Sequence, residues 1–400
     1  MKIAYIIGTY PGLTTTFIDR EIQELRRIGE AIQILSIRRP WTMLSDEQKK
    51  LQQGVIYLMP IQWSKFIGSQ LTFMFKNPAV FFGTLFFLLS RKQPSIKSRW
   101  KTLLHFFEGV YAARLLSGKG LDHLHAHFMD RAATVALVVS RFLKIPYSFT
   151  AHASEIYVDP VLVQEKIEGA KFAVTCTGYN QKHLASVSAN GSSKKVSCIY
   201  HGLDTKKYSR KTEQNPSGHI ILSVGQLKER KGFPYLVEAC ALLMKKGLDF
   251  ECLIIGEGPM RSGLESQIKT LGLSGKVRLL GAITPEEVIE QYEKANIFVL
   301  PAILGTDGDR DGIPNVILES MSMEIPVIST NHSGIPEVVE NGVNGLLVPP
   351  KDSHALADAL CSILENPAWG REMGRNGRKV IVEKFDPENN ARLLLARFRS

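Results

Sequence analysis

No acidic residue occurs between Glu47 and Glu108, although that stretch holds nine basic ones: Lys49, Lys50, Lys65, Lys76, Arg91, Lys92, Lys97, Arg99 and Lys101. Such a segment invites an anionic partner. Cysteine is scarce as well. The five present (Cys176, Cys198, Cys240, Cys252, Cys361) form no Cys-x-x-Cys pair, which argues against a zinc knuckle or disulfide framework and for a reducing compartment. Uninterrupted apolar runs are missing too. FIGSQLTFMFKNPAVFFGTLFFLLS (66–90) is divided at Lys76-Asn77-Pro78 into pieces shorter than the roughly 20 residues that a membrane span requires. The absence of a complete Gly-x-Gly-x-x-Gly weakens a nicotinamide dehydrogenase reading. Nucleic acid is a poor partner, because the aromatics cluster apart from the cations and no binding motif accompanies them.

What is present describes a folded chain. Its 400 residues, 44% hydrophobic and 22% charged, exceed one ordinary core and suggest two domains. Residues 1–200 carry 25 Lys+Arg against 13 Asp+Glu, whereas the rest carry 24 against 26. The basic excess therefore belongs to the first half. Seven of the nineteen phenylalanines lie within 66–90, which leaves two readings. The segment is either a pair of buried core helices or an interfacial element that meets anionic lipid. The opening MKIAYIIGTYPG reads as a first strand rather than a signal peptide.

Short β-type runs alternate with helical patterns throughout: KIAYII, AIQILSI, DHLHAHF, PYSFTAH, FAVTCTG and VSCIYHGL, then HIILSVG, DFECLIIG, KVRLLG, NIFVLPA and IPVIST. The polar, turn-rich DTKKYSRKTEQNPSG (204–218) between the two series reads as a linker. The fold class is α/β, with two doubly wound, mostly parallel sheets. The expected domains are 1–205, with a Phe-rich basic insertion at about 48–107, then 206–384, and a final 385–400 helix returning to the first domain. Thr284-Pro285-Glu286-Glu287 is a helix start with a capping box.

Ligands of such sheets bind beyond the carboxyl ends of the strands, so strand-end residues are the candidates. In GTDGDRDGIPNVILESMS, Asp311 and Gly312 precede a helix from about Asn315, with Glu319 one turn in. Amides at that start are free for anionic oxygens; equally, the two acids are a solvated loop acid and a dipole partner. The Asp-x-Asp pairs of DGDRD are a weak divalent-metal signal. In SVGQLKERKG, Lys231 stands near a strand end, where a point cation meets phosphate, or else belongs to a solvated turn with Lys228 and Arg230. IIGEGPM is a glycine turn with Pro259 at a helix start. LDHLHAHF sets His123, His125 and His127 on one strand face, as metal ligands, catalytic edge or packing. Their stagger of about 7 and 13 Å suits one zinc poorly. His152 ends the next strand.

Together these motifs resemble the family-4 retaining glycosyltransferases of GT-B architecture, two Rossmann-like domains facing across a cleft. The nearest subgroup is that of colanic acid and exopolysaccharide biosynthesis. The Asp311-Gly312-Ile313-Pro314…Glu319 signature, SVG…KG, GEGP, HAHF, TAHA and SGIPEVVENGVNGLLVPP fall in that family's order. The resemblance implies a metal-independent enzyme that needs no cofactor. It would move a sugar from a nucleotide-diphosphate sugar to a lipid-linked or polysaccharide acceptor, in the cytoplasm on the inner face of the plasma membrane. The rival is a catalytically silent sugar-nucleotide-binding or scaffold subunit.

By resemblance, Lys231 binds the diphosphate, Glu319 the ribose and Asp311 the sugar hydroxyls, while His127 reaches the donor sugar or positions the acceptor. Gly225, Gln226, Arg230, Gly256, Gly258, Gly312, Ile313, Pro314, Asn315 and Val316 line the donor. Thr14, Thr16, Phe17 and His152 shape the acceptor side. Two departures stand out: Asp311 replaces the usual Glu, and Gln226 replaces the usual Arg. Arg230 is the residue expected to compensate for the second.

Overall fold

Two parallel sheets carry the chain, and each joins strands whose sequences are apolar because both faces are covered by helices. The computed structural model describes residues 1–12, 15–40, 46–188, 191–211 and 219–400. Thr14 and the 212–218 part of the expected linker lie outside the described residues. The chain divides into one unit of Met1–Gly202 with Pro387–Ser400, and a second of Leu203–Asp386.

In the first unit the strands are β1 (Lys2–Thr9), β2 (Ala31–Arg38), β3 (Ile56–Tyr57), β4 (His123–His127), β5 (Tyr147–Ala151), β6 (Phe172–Thr175) and β7 (Val196–Cys198). Their spatial order is β3-β2-β1-β4-β5-β6-β7. The order reverses between β1 and β4, whose register sets Tyr5 beside His125. The Phe-rich insertion is not wholly extraneous to the sheet, since Ile56 and Tyr57 extend its edge beside Leu35 and Ser36. It then forms helices Trp63–Lys76, Pro78–Ser90 and Ile96–Leu116.

One face of this sheet (Ala4, Ile6, Leu35, Leu124, Ala126, Phe149) shares a core with Phe81, Leu88, Phe106, Val110 and Val138 of the covering helices. On the other face, Ile3, Tyr5, Ile7, Ile34 and Phe172 meet Phe17, Ile18, Ile22 and Leu25 of helix Thr16–Arg27. Leu394, Leu395 and Phe398 of the last helix, Pro387–Arg399, complete that layer.

The second unit contains β8 (Ile220–Val224), β9 (Glu251–Ile255), β10 (Val277–Gly281), β11 (Ile297–Leu300), β12 (Val327–Thr330) and β13 (Gly345–Val348). They are ordered β10-β9-β8-β11-β12-β13, so the reversal falls between β8 and β11. The helix Pro285–Lys294 starts as its sequence requires: Thr284 Oγ1 accepts from Glu287 N at 3.2 Å, and Glu287 Oε2 accepts from Thr284 N at 2.7 Å. Pro259 proves to lie in a turn two residues ahead of its helix, Arg261–Thr270.

Candidate functional site

Each sheet opens a crevice where its strand order reverses, and the sequence candidates gather at those two places. In the second unit the chain leaves β8 through Gly225, crosses an exposed Gln226 and reaches Lys231 at the end of a short turn, Glu229–Lys231. Glycine at 225 leaves room for that lysine, because a Cβ there would sit 3.3 Å from Lys231 Cε. Gly256, after β9, has φ 143°, and an added Cβ would stand 1.9 Å from Gly225 O. A Cβ at Gly258 would lie 2.6 Å from Leu227 O. These glycines let the loops after β8 and β9 close on one another, locked by Gly225 N donating to Ile255 O at 2.9 Å and Leu227 N to Glu257 O at 2.9 Å.

From β11 the chain runs through the acidic loop to helix Asn315–Ser322. Two cations from the β8 loop meet two of its acids. Lys231 Nζ lies 2.8 Å from Asp311 Oδ2, Arg230 Nε donates to Asp311 Oδ1 at 3.3 Å, and Arg230 also pairs with Asp309. Burial pushes the Asp311 carboxyl upward, but the charges and hydrogen bonds of Lys231 and Arg230 outweigh it and hold the group below the usual carboxylate range. Arg230 is thus engaged by both Asp309 and Asp311. Within DGDRD, Asp309 and Asp311 face these cations.

Helix Asn315–Ser322 has no side-chain cap at Pro314. The amides of Asn315 and Val316 therefore begin the helix without a side-chain cap among the described residues, which is the arrangement that binds anions. Gly312 and Ile313 are half-buried in the approach, and Pro314 is buried. Glu319, half-buried one turn in, accepts from Tyr292 Oη at 3.0 Å. Tyr292 was not legible as a partner from sequence. Its phenol is fully buried and, through that burial and the neighbouring Glu319, held well above its ordinary pKa, so it stays a donor.

In the first unit, the three histidines of β4 separate into two kinds. His123 and His125 are buried beneath Phe172 and Phe398, with ring centroids 5.0–6.4 Å apart. Ser148 Oγ joins them, 2.7 Å from His123 Nε2 and 2.8 Å from His125 Nδ1, and Thr150 Oγ1 is 3.0 Å from His125 Nε2. Burial keeps both imidazoles neutral, the His123 pKa falling to about 3 and that of His125 well below the usual value. These two are packing.

His127 stands at the carboxyl end of β4, beside β1, at the reversal. Its Nε2–H donates to Glu21 Oε1 at 2.9 Å, and the same oxygen accepts from Tyr5 Oη at 2.7 Å. Its other ring nitrogen, Nδ1, is buried and without a hydrogen-bond partner among the described residues. The next residue, Phe128, adopts φ 74°, an unfavourable conformation for a bulky side chain and one that concentrates at functional sites. Glu21 is a site residue that sequence missed. It lies on the charged face of helix Thr16–Arg27, where Glu21 and Glu24 look like solvated acids.

Glu21, His125 and His127 each offer an atom within 4.8 Å of the others, whereas His123 stands outside that group, in keeping with the stagger of the three histidines. All three are engaged in hydrogen bonds to protein groups. Phe17 stacks on His201 at 4.2 Å and lies 5.1 Å from His152. His152 Nε2 and His201 Nε2 share a hydrogen bond at 3.1 Å, one donating and the other accepting. His152 N donates to Glu155 Oε1 at 2.7 Å. Burial holds His201 neutral, its pKa well below the ordinary value. Thr16 is exposed.

Comparison with known proteins agrees with this geometry. Residues 204–380 match the family described as "Glycosyl transferases group 1". The amylovoran biosynthesis glycosyltransferase AmsK of Erwinia amylovora is 37% identical over 175 residues, 44% of this chain and 43% of AmsK. WcaL of Salmonella typhimurium, assigned to colanic acid biosynthesis, is 38% identical over 167 residues, 42% of this chain and 41% of WcaL. The chain thus spans about two fifths of the length of these relatives. Among solved structures, Anabaena HepE in complex with UDP superimposes with a TM-score of 0.73 over 100% of both chains at 16% identity, a likeness of fold: two Rossmann-like units of the GT-B class. The loops around Lys231, Asp311 and Glu319 all lie inside the stretch, residues 204–380, that matches this family.

Proposed function

We propose that this protein is a retaining glycosyltransferase of cell-surface polysaccharide assembly. It moves a sugar from a nucleotide-diphosphate sugar to a lipid-linked or polysaccharide acceptor, peripherally on the inner face of the plasma membrane. One observation carries the reading: at the strand-order reversal, Lys231 pairs with Asp311 on the loop that leads into the uncapped start of helix Asn315–Ser322, all within the stretch that matches the group 1 glycosyl transferases. The names of AmsK and WcaL support the polysaccharide pathway, and the UDP in HepE supports a nucleotide donor.

Negative charge on the leaving diphosphate rises as the glycosidic bond breaks. A fixed cation and oriented amides bind that charge more tightly than the ground state, which lowers the barrier. In this reading Lys231 passes from Asp311 to the diphosphate. Asp311 is then released toward the sugar hydroxyls, still restrained by Arg230. Glu319, oriented by Tyr292, takes the ribose, and Gly225, Gly256 and Gly258 let the backbone approach the donor. The first unit serves the acceptor through the surroundings of His127, Phe17 and His152. Positive charge comes from Lys231 and the helix start, so no metal is required and chelation leaves the rate unchanged.

Thermal-shift screening with uridine-, guanosine- and adenosine-diphosphate sugars identifies the donor, because binding to the folded state raises Tm. With that donor, Lys231→Ala is expected to lower turnover about 100- to 1,000-fold, and Glu319→Ala to raise KM. Unchanged donor consumption in both variants refutes the reading, and a wild-type protein that binds donor without turnover identifies a scaffold.

A further inference from the structure

The Phe-rich helices bury only some of their apolar side chains. Phe81 and Leu88 enter the core of the first unit, and Phe66, Phe73, Met74, Val80, Leu85 and Phe87 pack against it. The remaining apolar side chains point outward in rows four residues apart, the spacing that lines one helical face. Helix Trp63–Lys76 presents Trp63, Ile67, Leu71 and Phe75. Pro78–Ser90 presents Phe82 and Phe86, and Ile96–Leu116 presents Ile96, Trp100 and Leu104. Phe75, Phe86 and Ile96 are 75%, 75% and 78% exposed. Nine of the eighteen exposed large apolar side chains among the described residues fall between 63 and 104, so this is a concentrated surface rather than ordinary scatter.

Cations frame it. Lys65, Lys76, Lys92, Lys97 and Arg99 are exposed and make no ion pair among the described residues, while Arg91 and Lys101 approach Glu165 and Asp159.

We infer that these three helices form a monotopic bilayer-docking surface. Their apolar rows insert into the acyl boundary, and their lysines and arginines contact anionic headgroups. This inference rests on the peripheral placement proposed above. Geometry decides against a span. Helices of 14 and 13 residues, turned through 108° at Asn77, reach only about 24 Å end to end at 1.5 Å per residue. The hydrocarbon core is about 30 Å thick. Among the described residues no single helix is long and apolar enough to cross alone.

Charge decides against a second copy of the chain. A symmetric contact would set cation against cation, with no acid between Glu47 and Glu108 to answer them. A lipid surface of negative charge satisfies both features at once. Trp63 and Trp100 then take the interfacial level where tryptophan concentrates.

Flotation of the full chain with phosphatidylcholine vesicles, with and without phosphatidylglycerol, tests this directly. The wild type is expected to float with the anionic vesicles, less so as salt rises, and its tryptophan emission to shift to the blue. Phe75→Ser/Phe86→Ser is expected to weaken partitioning at least about tenfold, and Lys76→Glu/Lys97→Glu/Arg99→Glu to abolish the preference for phosphatidylglycerol. All of these side chains are exposed, so an unchanged Tm verifies folding. Equal flotation of every variant, or none by the wild type, overturns the inference. So does a dimer in sedimentation that Phe75→Ser/Phe86→Ser dissolves, which would assign the face to a second copy. Donor consumption distinguishes the two proposals: a failed membrane surface leaves it intact, whereas a failed transferase reading abolishes it and leaves flotation untouched.

Discussion

The two sheets reverse their strand order in the same way but furnish the crevice with opposite chemistry. In the first, β1 and β4 frame a neutral cluster in which His123 and His125 lie beneath Phe172 and Phe398. In the second, β8 and β11 frame an ionic cluster of Arg230 and Lys231 against Asp309 and Asp311. Burial suppresses charge in one and fails to do so in the other, because Asp311 has two cations against it, whereas His125 is surrounded by other histidines. The lesson is that the fold provides the place, and the local count of opposite charges decides whether that place is neutral or ionic.

The backbone differs between the two places as well, and glycine substitution sharpens that contrast most. Gly256→Ala drives a Cβ into Gly225 O at a positive φ and should destabilise the protein by about 3 kcal/mol in urea unfolding. Gly8, near the end of β1, has nothing within 4 Å of its added Cβ. Gly8→Ala should therefore change stability by less than about 0.5 kcal/mol. Equal losses would show that both crevices are closed equally tightly.

Asp311→Asn probes the ionic cluster. It leaves Lys231 and Arg230 short of an acceptor and should remove about 2 kcal/mol at neutral pH. The folded-state pKa of Asp311 is depressed, so its contribution is present above the unfolded value of about 3.9 and disappears as pH falls through the lower folded value. Wild type and variant should thus converge in acid. A pH-independent difference would point to packing.

The neutral cluster responds in a different window. His123 drops to about 3 in the fold against about 6.5 unfolded. The unfolded chain binds more protons there, so stability falls as pH goes below about 6.5, by about 2 kcal/mol per such histidine at pH 5. His123→Phe, which keeps the stack on Phe172 and Phe398, should flatten that part of the profile. An unchanged slope would remove His123 from the account.

Much of this was legible beforehand. Apolar runs and capping signals mark the strands and helices because they are local properties of the chain, as Thr284 and Glu287 illustrate. The loop motifs that carry Lys231, Asp311 and Glu319 are legible because each is contiguous in sequence, whereas the Lys231–Asp311 pair is not. Glu21 was not: its bond to His127 spans 106 residues, and on its own helix it resembles any solvated acid. Tyr292 beside Glu319 and Asp309 beside Arg230 were hidden for the same reason. Of the Phe-rich segment, sequence offered core helices or an interfacial element. The structure shows inner rows in the core and outer rows exposed, a partition that composition cannot express.

The central claim is that one lysine and one helix start hold a nucleoside diphosphate. Calorimetric titration of the full chain with uridine, guanosine and adenosine diphosphates tests it, comparing wild type, Lys231→Ala and Phe75→Ser. The account predicts that at least one nucleotide binds and that Lys231→Ala weakens it at least about tenfold, as expected for loss of a charged hydrogen bond, while Phe75→Ser leaves it unchanged. Equal affinity in wild type and Lys231→Ala would contradict it.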